Sequence, residues 1–554
     1  MSLAVDGQSA RKGRRDGWGW ALAAGLVAAV LALPALAVLA ELLVPSGDVW
    51  AHLWNTVLPG YVLNTLALAA MAAGGSLVIG VGAAWASVML DFPGRRWLTW
   101  ALVLPLAAPA YVVAYALADL LQAAGPVQTW LRDITGWRVG DYWFPEIHSL
   151  TGAGFVFTLT LYPYVYLLAR AAFLQQSGAA LDVARTLGLG PWRVFWRVAL
   201  PLARPAIAGG AAIVLMETLA DYGAVSHLSV QTFTTGIFRA WYQMGDRAAG
   251  AQLAAALLGC VLLVLLLERL SRRGRAIHEA GRRAHPPARR ALTGIARYAV
   301  PLLCLLPPLL GFLLPAGALL HLFLDRGEGQ FNARFLSATF TSLSLAAIAA
   351  ALTVAIAILL AYARRAAPGR VTGAAAGLAG YGYALPGSVI AVGILLPMTL
   401  VDRWVNGLMV EYFGVRTGLL ITGTAAGLIF AYVVRFAAPA LEAVESGFQR
   451  ITPSIAAAAR TLTRSRTDAL RRVHIPLVAP AALTAALVVF VDAMKELPAT
   501  LLMRPMNSET LAVLAYSYAA DERLESAALP SLAIVLAGLP AVILLMRRIG
   551  QGRD

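Results

Sequence analysis

A polytopic all-α membrane protein, with about twelve transmembrane helices in two parallel six-helix repeats, is the fold class this sequence predicts. Three observations predict it: composition, the alternation of long apolar runs with short arginine clusters, and an internal repeat. Hydrophobic residues make up 59% of the 554 and charged residues only 13%, against about 25% charged in soluble domains. The net charge of +15 is not laid out as a nucleic-acid-binding stripe. It falls in short clusters between apolar runs, as in loops that stay on the cytoplasmic side. The repeat is explicit: LDVARTLGLGPWRVFWRVALPLARP at 181–205 is echoed by AAAARTLTRSRTDALRRVHIPLVAP at 456–480. Ala184-Arg185-Thr186-Leu187 answers to Ala459-Arg460-Thr461-Leu462, Pro201 to Pro476 and Pro205 to Pro480, each 275 residues on. A fixed offset over such a stretch sets the architecture before any local reading.

Taken in order, residues 1–17 form a basic tail, with Arg11, Lys12, Arg14 and Arg15, expected in the cytoplasm. The apolar run 18–44 is long enough to cross about 30 Å of hydrocarbon at about 1.5 Å per residue. It is taken as an uncleaved first span, because 296–322 matches it in the second half. Further spans are expected near 62–90, 97–122, 149–174, 204–225 and 247–268, closing a first half at 18–270. The loop 123–148, with Trp130, Trp137 and Trp143, suits the outer interface, where aromatic rings collect. Residues 271–294 form a basic linker, with Arg272, Arg273, Arg275, Arg282, Arg283, Arg289 and Arg290; topology and anionic lipid explain it better than nucleic acid. The second half, 295–546, repeats the spans near 296–322, 337–363, 374–400, 416–440, 479–500 and 527–546. Arg547 and Arg548 open a cytoplasmic tail at 547–554. Six spans per half is an even number, so the halves share one orientation.

Several function classes drop out. Lys12 and Lys495 are the only lysines, and neither follows a glycine. The chain therefore carries no GxxxxGK[ST] phosphate loop, and ATP hydrolysis would belong to a partner chain. Cys260 and Cys304 both lie in apolar runs, so no disulfide framework or CxxC site is expected. No His, Cys or carboxylate grouping reads as a catalytic or metal centre, and no cofactor is expected. A transport subunit is predicted rather than an enzyme.

Charge inside the spans stands out instead. Glu217 and Asp221 pair by the same 275 offset with Asp492 and Glu496. Within each pair the spacing of four would set both carboxylates on one helix face. Intramembrane charge costs at least about 2.5 kcal/mol by insertion scales, so it needs a reason. Two readings stay open: a polar lining for a translocation path, or helix-end charge at headgroup level. Lys495, three residues after Asp492, is positioned to neutralise it.

The two Arg-rich stretches resemble the cytoplasmic "EAA" loop of binding-protein-dependent ABC transporter permeases. That pattern is Glu-Ala-Ala, three residues, Gly, nine residues and Ile-x-Leu-Pro. Here it reads Asp182-Val183-Ala184, Gly188 and Val198-Ala199-Leu200-Pro201. The second copy departs further, with Ala457 at the acidic position, Thr463 for the glycine and Val473-His474-Ile475-Pro476 at the end. The blocks 220–257 and 495–524 resemble the ferric-iron uptake permeases in which two halves are fused in one chain. The resemblance implies MetI-like permease halves, an inner-membrane location with both termini cytoplasmic, a periplasmic iron-binding protein and a homodimeric cytoplasmic ATPase. It implies that Asp182, Ala184, Arg185, Gly188, Pro201, Ala459, Arg460, Thr463 and Pro476 dock that ATPase. Thiamine and phosphonate permeases share the architecture. A twelve-helix secondary transporter is the rival of a different class; it would not need two matched docking loops.

Overall fold

A computed structural model describes residues 3–43, 47–176, 183–184, 186–272, 289–327, 329–463, 465–505 and 508–550. Among them are twelve helices long and apolar enough to cross a membrane. In the first half of the sequence they are α1 (Trp18–Leu43), α2 (Leu58–Met89), α3 (Ala110–Thr135), α4 (Leu150–Gln175), α5 (Pro191–Ala220) and α6 (Arg247–Leu270). In the second half they are α7 (Ala296–Arg326), α8 (Ala333–Ala366), α9 (Gly387–Phe413), α10 (Ala425–Gln449), α11 (Arg466–Met494) and α12 (Leu524–Leu544). The β-structure described is a single two-residue parallel ladder, Leu90 with Arg290 and Asp91 with Ala291.

The period found in the loops runs through the whole architecture. α2 and α8 start at Leu58 and Ala333, α4 and α10 at Leu150 and Ala425, and α5 and α11 at Pro191 and Arg466. Every one of these pairs is 275 residues apart, so the two halves fold in register without net insertion.

Two compact units are present, and they do not follow the sequence halves. One comprises Met1–Pro45, Gly250–Ala255 and Ala333–Val513; the other comprises Ser46–Ala249, Ala256–Asn332 and Leu514–Asp554. In the first unit α1 packs on α8 and α9, helices of the other sequence half. A methyl group on Gly393 of α9 would collide with the Pro34 carbonyl, so only glycine lets these backbones approach. In the second unit α7 crosses α4 at Gly311, where a Cβ would lie 2.5 Å from the Leu159 carbonyl oxygen. α2 and α4 touch the same way at Gly80, whose Cβ would meet the Tyr162 carbonyl oxygen and the Tyr166 nitrogen at 2.9 Å.

Three expectations need correcting. The third span of each half lies further along the chain than 97–122 and 374–400. Residues 97–109 instead form a short helix and a 3-10 turn that Pro105 and Pro109 cut off from α3. Likewise Pro386 caps the start of α9. The fifth span does not begin after Pro201, nor the eleventh after Pro476. α5 and α11 run unbroken from inside the Arg-rich loops, as single helices Pro191–Ala220 and Arg466–Met494. Each takes its proline through a π-helical turn, Phe195–Ala199 and Leu470–His474, again 275 apart. A proline lacks the N–H an α-helix needs and crowds the preceding turn; one wider turn accommodates both problems without ending the helix.

Candidate functional site

Each Arg-rich loop enters its span through a short capped segment. In the first loop Gly188 has φ +82°, a left-handed conformation that favours glycine, and Gly190 caps α5 with Pro191 at its first position. In the second, Thr463 sits at φ −114°, extended backbone, and Ser465 caps α11 by accepting from the Asp468 N–H at 3.1 Å. The glycine-to-threonine difference therefore changes the backbone path into the helix. Both loops nevertheless present the same apolar knob. Leu187 and Leu462, 275 apart, are 76% and 84% exposed. Ala184 and Ala459 are buried, while Pro201 and Pro476 are exposed on their helices. Asp182 and Arg185 lie outside the described residues, and of Arg460 only the backbone is described.

The paired acids are placed differently from their sequence spacing. α5 stops at Ala220 and α11 at Met494, so Asp221 and Glu496 lie just beyond the helix ends. They do not share a helix face with Glu217 and Asp492. Each caps the short helix that follows, Gly223–His227 and Pro498–Met503. The Asp221 carboxylate accepts from the N–H groups of Ala224 at 2.8 Å and Val225 at 3.3 Å. Glu496 accepts from Ala499 N–H at 3.0 Å, Thr500 N–H at 3.1 Å and the Thr500 hydroxyl at 2.8 Å. These N–H groups have no partner in their own first turn, so a carboxylate there satisfies donors and meets the positive helix end together. Glu217 is half-buried on α5. Asp492 pairs with Lys495 at 3.0 Å, as the spacing suggested.

Beyond this shared geometry the breaks differ, and sequence reasoning did not single out the residues responsible. In one unit Glu496 is buried beside Gly387, the first residue of α9. A Cβ on Gly387 would collide with the Glu496 carboxylate and lie 3.2 Å from Nη1 of Arg435. Arg435, on α10, is 9% exposed; its Nη1 donates to the Leu385 carbonyl at 3.3 Å and its Nε has no partner among the described residues. One arginine in the apolar run 425–440 was the available signal, since intramembrane charge marks function by default.

In the other unit the break is lined by hydroxyls and aromatic rings. Tyr222 stacks on Phe238 with ring centroids 3.7 Å apart, and its hydroxyl lies 3.1 Å from that of Tyr516. Ser226 comes within 3.3 Å of the same Tyr516 hydroxyl. His227 meets the ring of Tyr115 at 4.6 Å, and burial, with His148 nearby, pulls its pKa down to about 4. Thr234 closes the segment by donating to the Asp221 carbonyl at 2.7 Å. Among the described residues no group of three His, Cys or carboxylate side chains could hold a metal ion.

Comparison with known proteins bears on this arrangement of loops and breaks. Residues 76–276 match the family described as binding-protein-dependent transport system inner membrane component. The molybdenum transport system permease protein ModB of Escherichia coli is 32% identical over 189 residues, which cover 33% of this chain and 76% of that protein. The chain belongs to the binding-protein-dependent transport permeases. The Fe(3+)-transport system permease protein FbpB 2 of Haemophilus influenzae is 25% identical over 469 residues, covering 82% of this permease and 83% of that protein. The sulfate transport system permease protein CysT of Escherichia coli is 27% identical over 248 residues, covering 43% and 86%. The permease is thus a multi-pass membrane component of an ABC importer, a transport subunit rather than an enzyme.

Proposed function

We propose that this permease imports ferric iron delivered by a periplasmic binding protein, with ATP hydrolysed by a separate cytoplasmic subunit. One observation carries the substrate: the Fe(3+) permease relative matches across both halves, over 82% of the chain, whereas the molybdenum and sulfate relatives match 33% and 43%. Chemistry agrees with it. The break near Tyr222 offers the hydroxyl oxygens of Tyr222, Ser226 and Tyr516, and hard oxygen donors suit a hard cation.

The docking reading rests on Leu187 and Leu462. Two large apolar side chains, exposed at matching positions beside arginines, suit an ATPase dimer that pulls on two equivalent points. In this reading both loops and both termini face the cytoplasm, because the arginine clusters mark that side. Gly188, Thr463, Pro201 and Pro476 then shape the two docking segments.

A second reading takes the substrate as an oxyanion. It is favoured by the 32% identity to the molybdenum permease and by the buried guanidinium of Arg435. Uptake by the reconstituted complex, with labelled ferric iron, molybdate and sulfate offered in turn and thiamine as competitor, separates the readings. Iron accumulation that depends on ATP and the binding protein supports the first. Molybdate or sulfate accumulation without iron uptake replaces it with the second.

A further inference from the structure

The 275-residue repeat exposes an arginine that has lost its counter-charge. In the sequence Asp91-Phe92-Pro93-Gly94-Arg95, Arg95 lies 3.6 Å from Asp91. The matching stretch reads Ala366-Ala367-Pro368-Gly369-Arg370, with alanine where the aspartate stood. Arg370 is exposed and forms no ion pair among the described residues.

Arg370 lines a groove of about 630 Å³ within the first unit. One wall is α1, whose Trp18, Leu22 and Leu26 are 75%, 58% and 61% exposed. Spaced four apart, they form one stripe along the helix, about 12 Å long at 1.5 Å per residue. The other wall is the turn 366–372, and Arg466, at the start of α11, adds a second guanidinium. Its Nη1 donates to the Ala366 carbonyl, so its charge is fixed at the groove's edge. The groove therefore has an apolar trough, an indole at one end and two cations at the rim, at the end of the spans where the Arg-rich loops emerge. A tryptophan there marks headgroup level, and arginines beside it attract anionic headgroups.

We propose that this groove holds one anionic phospholipid, with its phosphate against Arg370 and Arg466 and an acyl chain along Leu22 and Leu26. Trough and rim match the two parts of that molecule. An apolar peptide would leave Arg370 without a counter-charge, and a free anion would leave the trough empty. Because Arg466 opens α11, which continues from the second Arg-rich loop, the bound lipid braces the base of that loop.

The test titrates delipidated, purified permease with phosphatidylglycerol or phosphatidylcholine and counts bound lipids by native mass spectrometry. Variants Arg370→Gln and Ala366→Asp are compared with the parent. The second keeps the arginine and restores the pair seen at Asp91 and Arg95. The parent should bind one phosphatidylglycerol per chain that phosphatidylcholine does not replace. Each variant should bind that lipid about fivefold more weakly, the loss expected from one basic contact. Equal binding of the two lipids to the parent overturns the proposal, as does a preference that survives in Ala366→Asp. Competition by inorganic phosphate alone would show an ion site and also overturn it, and so would a mass showing a second polypeptide on this face. Should Arg370→Gln fail to accumulate, Ala366→Asp decides.

Discussion

Replacing Glu496 tests whether the second acid of each pair is a structural cap or part of a path. Alanine removes the acceptor from two backbone N–H groups and one hydroxyl. Each buried donor left unpaired costs about 1–3 kcal/mol. These donors share one carboxylate and their losses do not add in full, so about 3 kcal/mol is the expected total. Glutamine keeps one acceptor oxygen and should cost about 1–2 kcal/mol, the price of weakening charge-assisted bonds to neutral ones. Asp492→Asn breaks one partly buried pair and strips no backbone donor, at about 1 kcal/mol or less.

Membrane proteins seldom unfold reversibly, so the assay is the half-life of folded permease in detergent at fixed temperature. Glu496→Ala should shorten it at least tenfold, Glu496→Gln a few-fold, and Asp492→Asn not measurably. An alanine variant within twofold of the parent would refute the capping argument. If Glu496→Gln abolished uptake while its half-life matched the parent, the carboxylate would serve transport directly and the path reading would return.

Three further outcomes are expected. Gly188→Ala should cost about 1–2 kcal/mol locally, because a side chain there is forced into the left-handed region; Gly188→Arg should weaken ATPase pull-down more than Thr463→Arg, since Thr463 already sits in extended backbone. Burial lowers the His227 pKa to about 4 from an ordinary 6.5, so the folded state keeps the ring neutral while the unfolded chain takes a proton first. Stability from this source is complete above about pH 6.5 and declines as pH falls toward 4; His227→Gln should flatten the pH profile of the half-life. Glu509 accepts from Arg334 at 2.7 and 2.9 Å, and that pairing, with Arg504 also near, lowers its pKa. Its contribution is present above the ordinary carboxylate value and lost on acidification; with Arg334 half-exposed, Glu509→Gln should cost only about 0.2–1 kcal/mol in a melting measurement.

The period was legible because a 25-residue charged island repeats between apolar runs, and charge between spans is read without any knowledge of packing. Helix ends were less legible. Pro201 and Pro476 look like breakers in sequence, yet a π-turn ending two residues upstream carries each helix through. Nothing in a string of residue types separates a proline that ends a helix from one absorbed by a wider turn, because neighbouring helices decide which backbone groups find partners. The exchange of α1 into the unit of α8 and α9 was invisible for a related reason. Its apolar run does not name the helices it packs on; the close approach of Gly393 to Pro34 shows only in the folded backbone. The four acids were found by charge and period, but their geometry turned on where α5 and α11 stop, one residue before Asp221 and two before Glu496.

What the two halves share and what they do not separates architecture from task. Asp221 and Glu496 both cap a short helix after a broken span, so the break itself belongs to the repeated design. The neighbours are not repeated. Tyr222 answers to Leu497, Arg435 to Thr160, and Tyr516 to Trp241, each 275 apart. In an assembly of two identical halves every recognition group would appear twice; in a fused chain each half is free to change alone. In the proposed function, recognition of the substrate is assigned to the unrepeated groups rather than to the caps. Two substitutions toward the repeat partner expose the difference. Tyr516→Trp removes the hydroxyl between Tyr222 and Ser226 and leaves a ring in place, so it should lower iron uptake while the half-life of the folded permease stays within twofold. Glu496→Asp, the residue its partner carries, shortens a cap without removing its charge, so it should shift stability and leave substrate preference alone. Measured together, an unchanged uptake in the first variant or an altered substrate preference in the second would place recognition elsewhere than in the unrepeated residues.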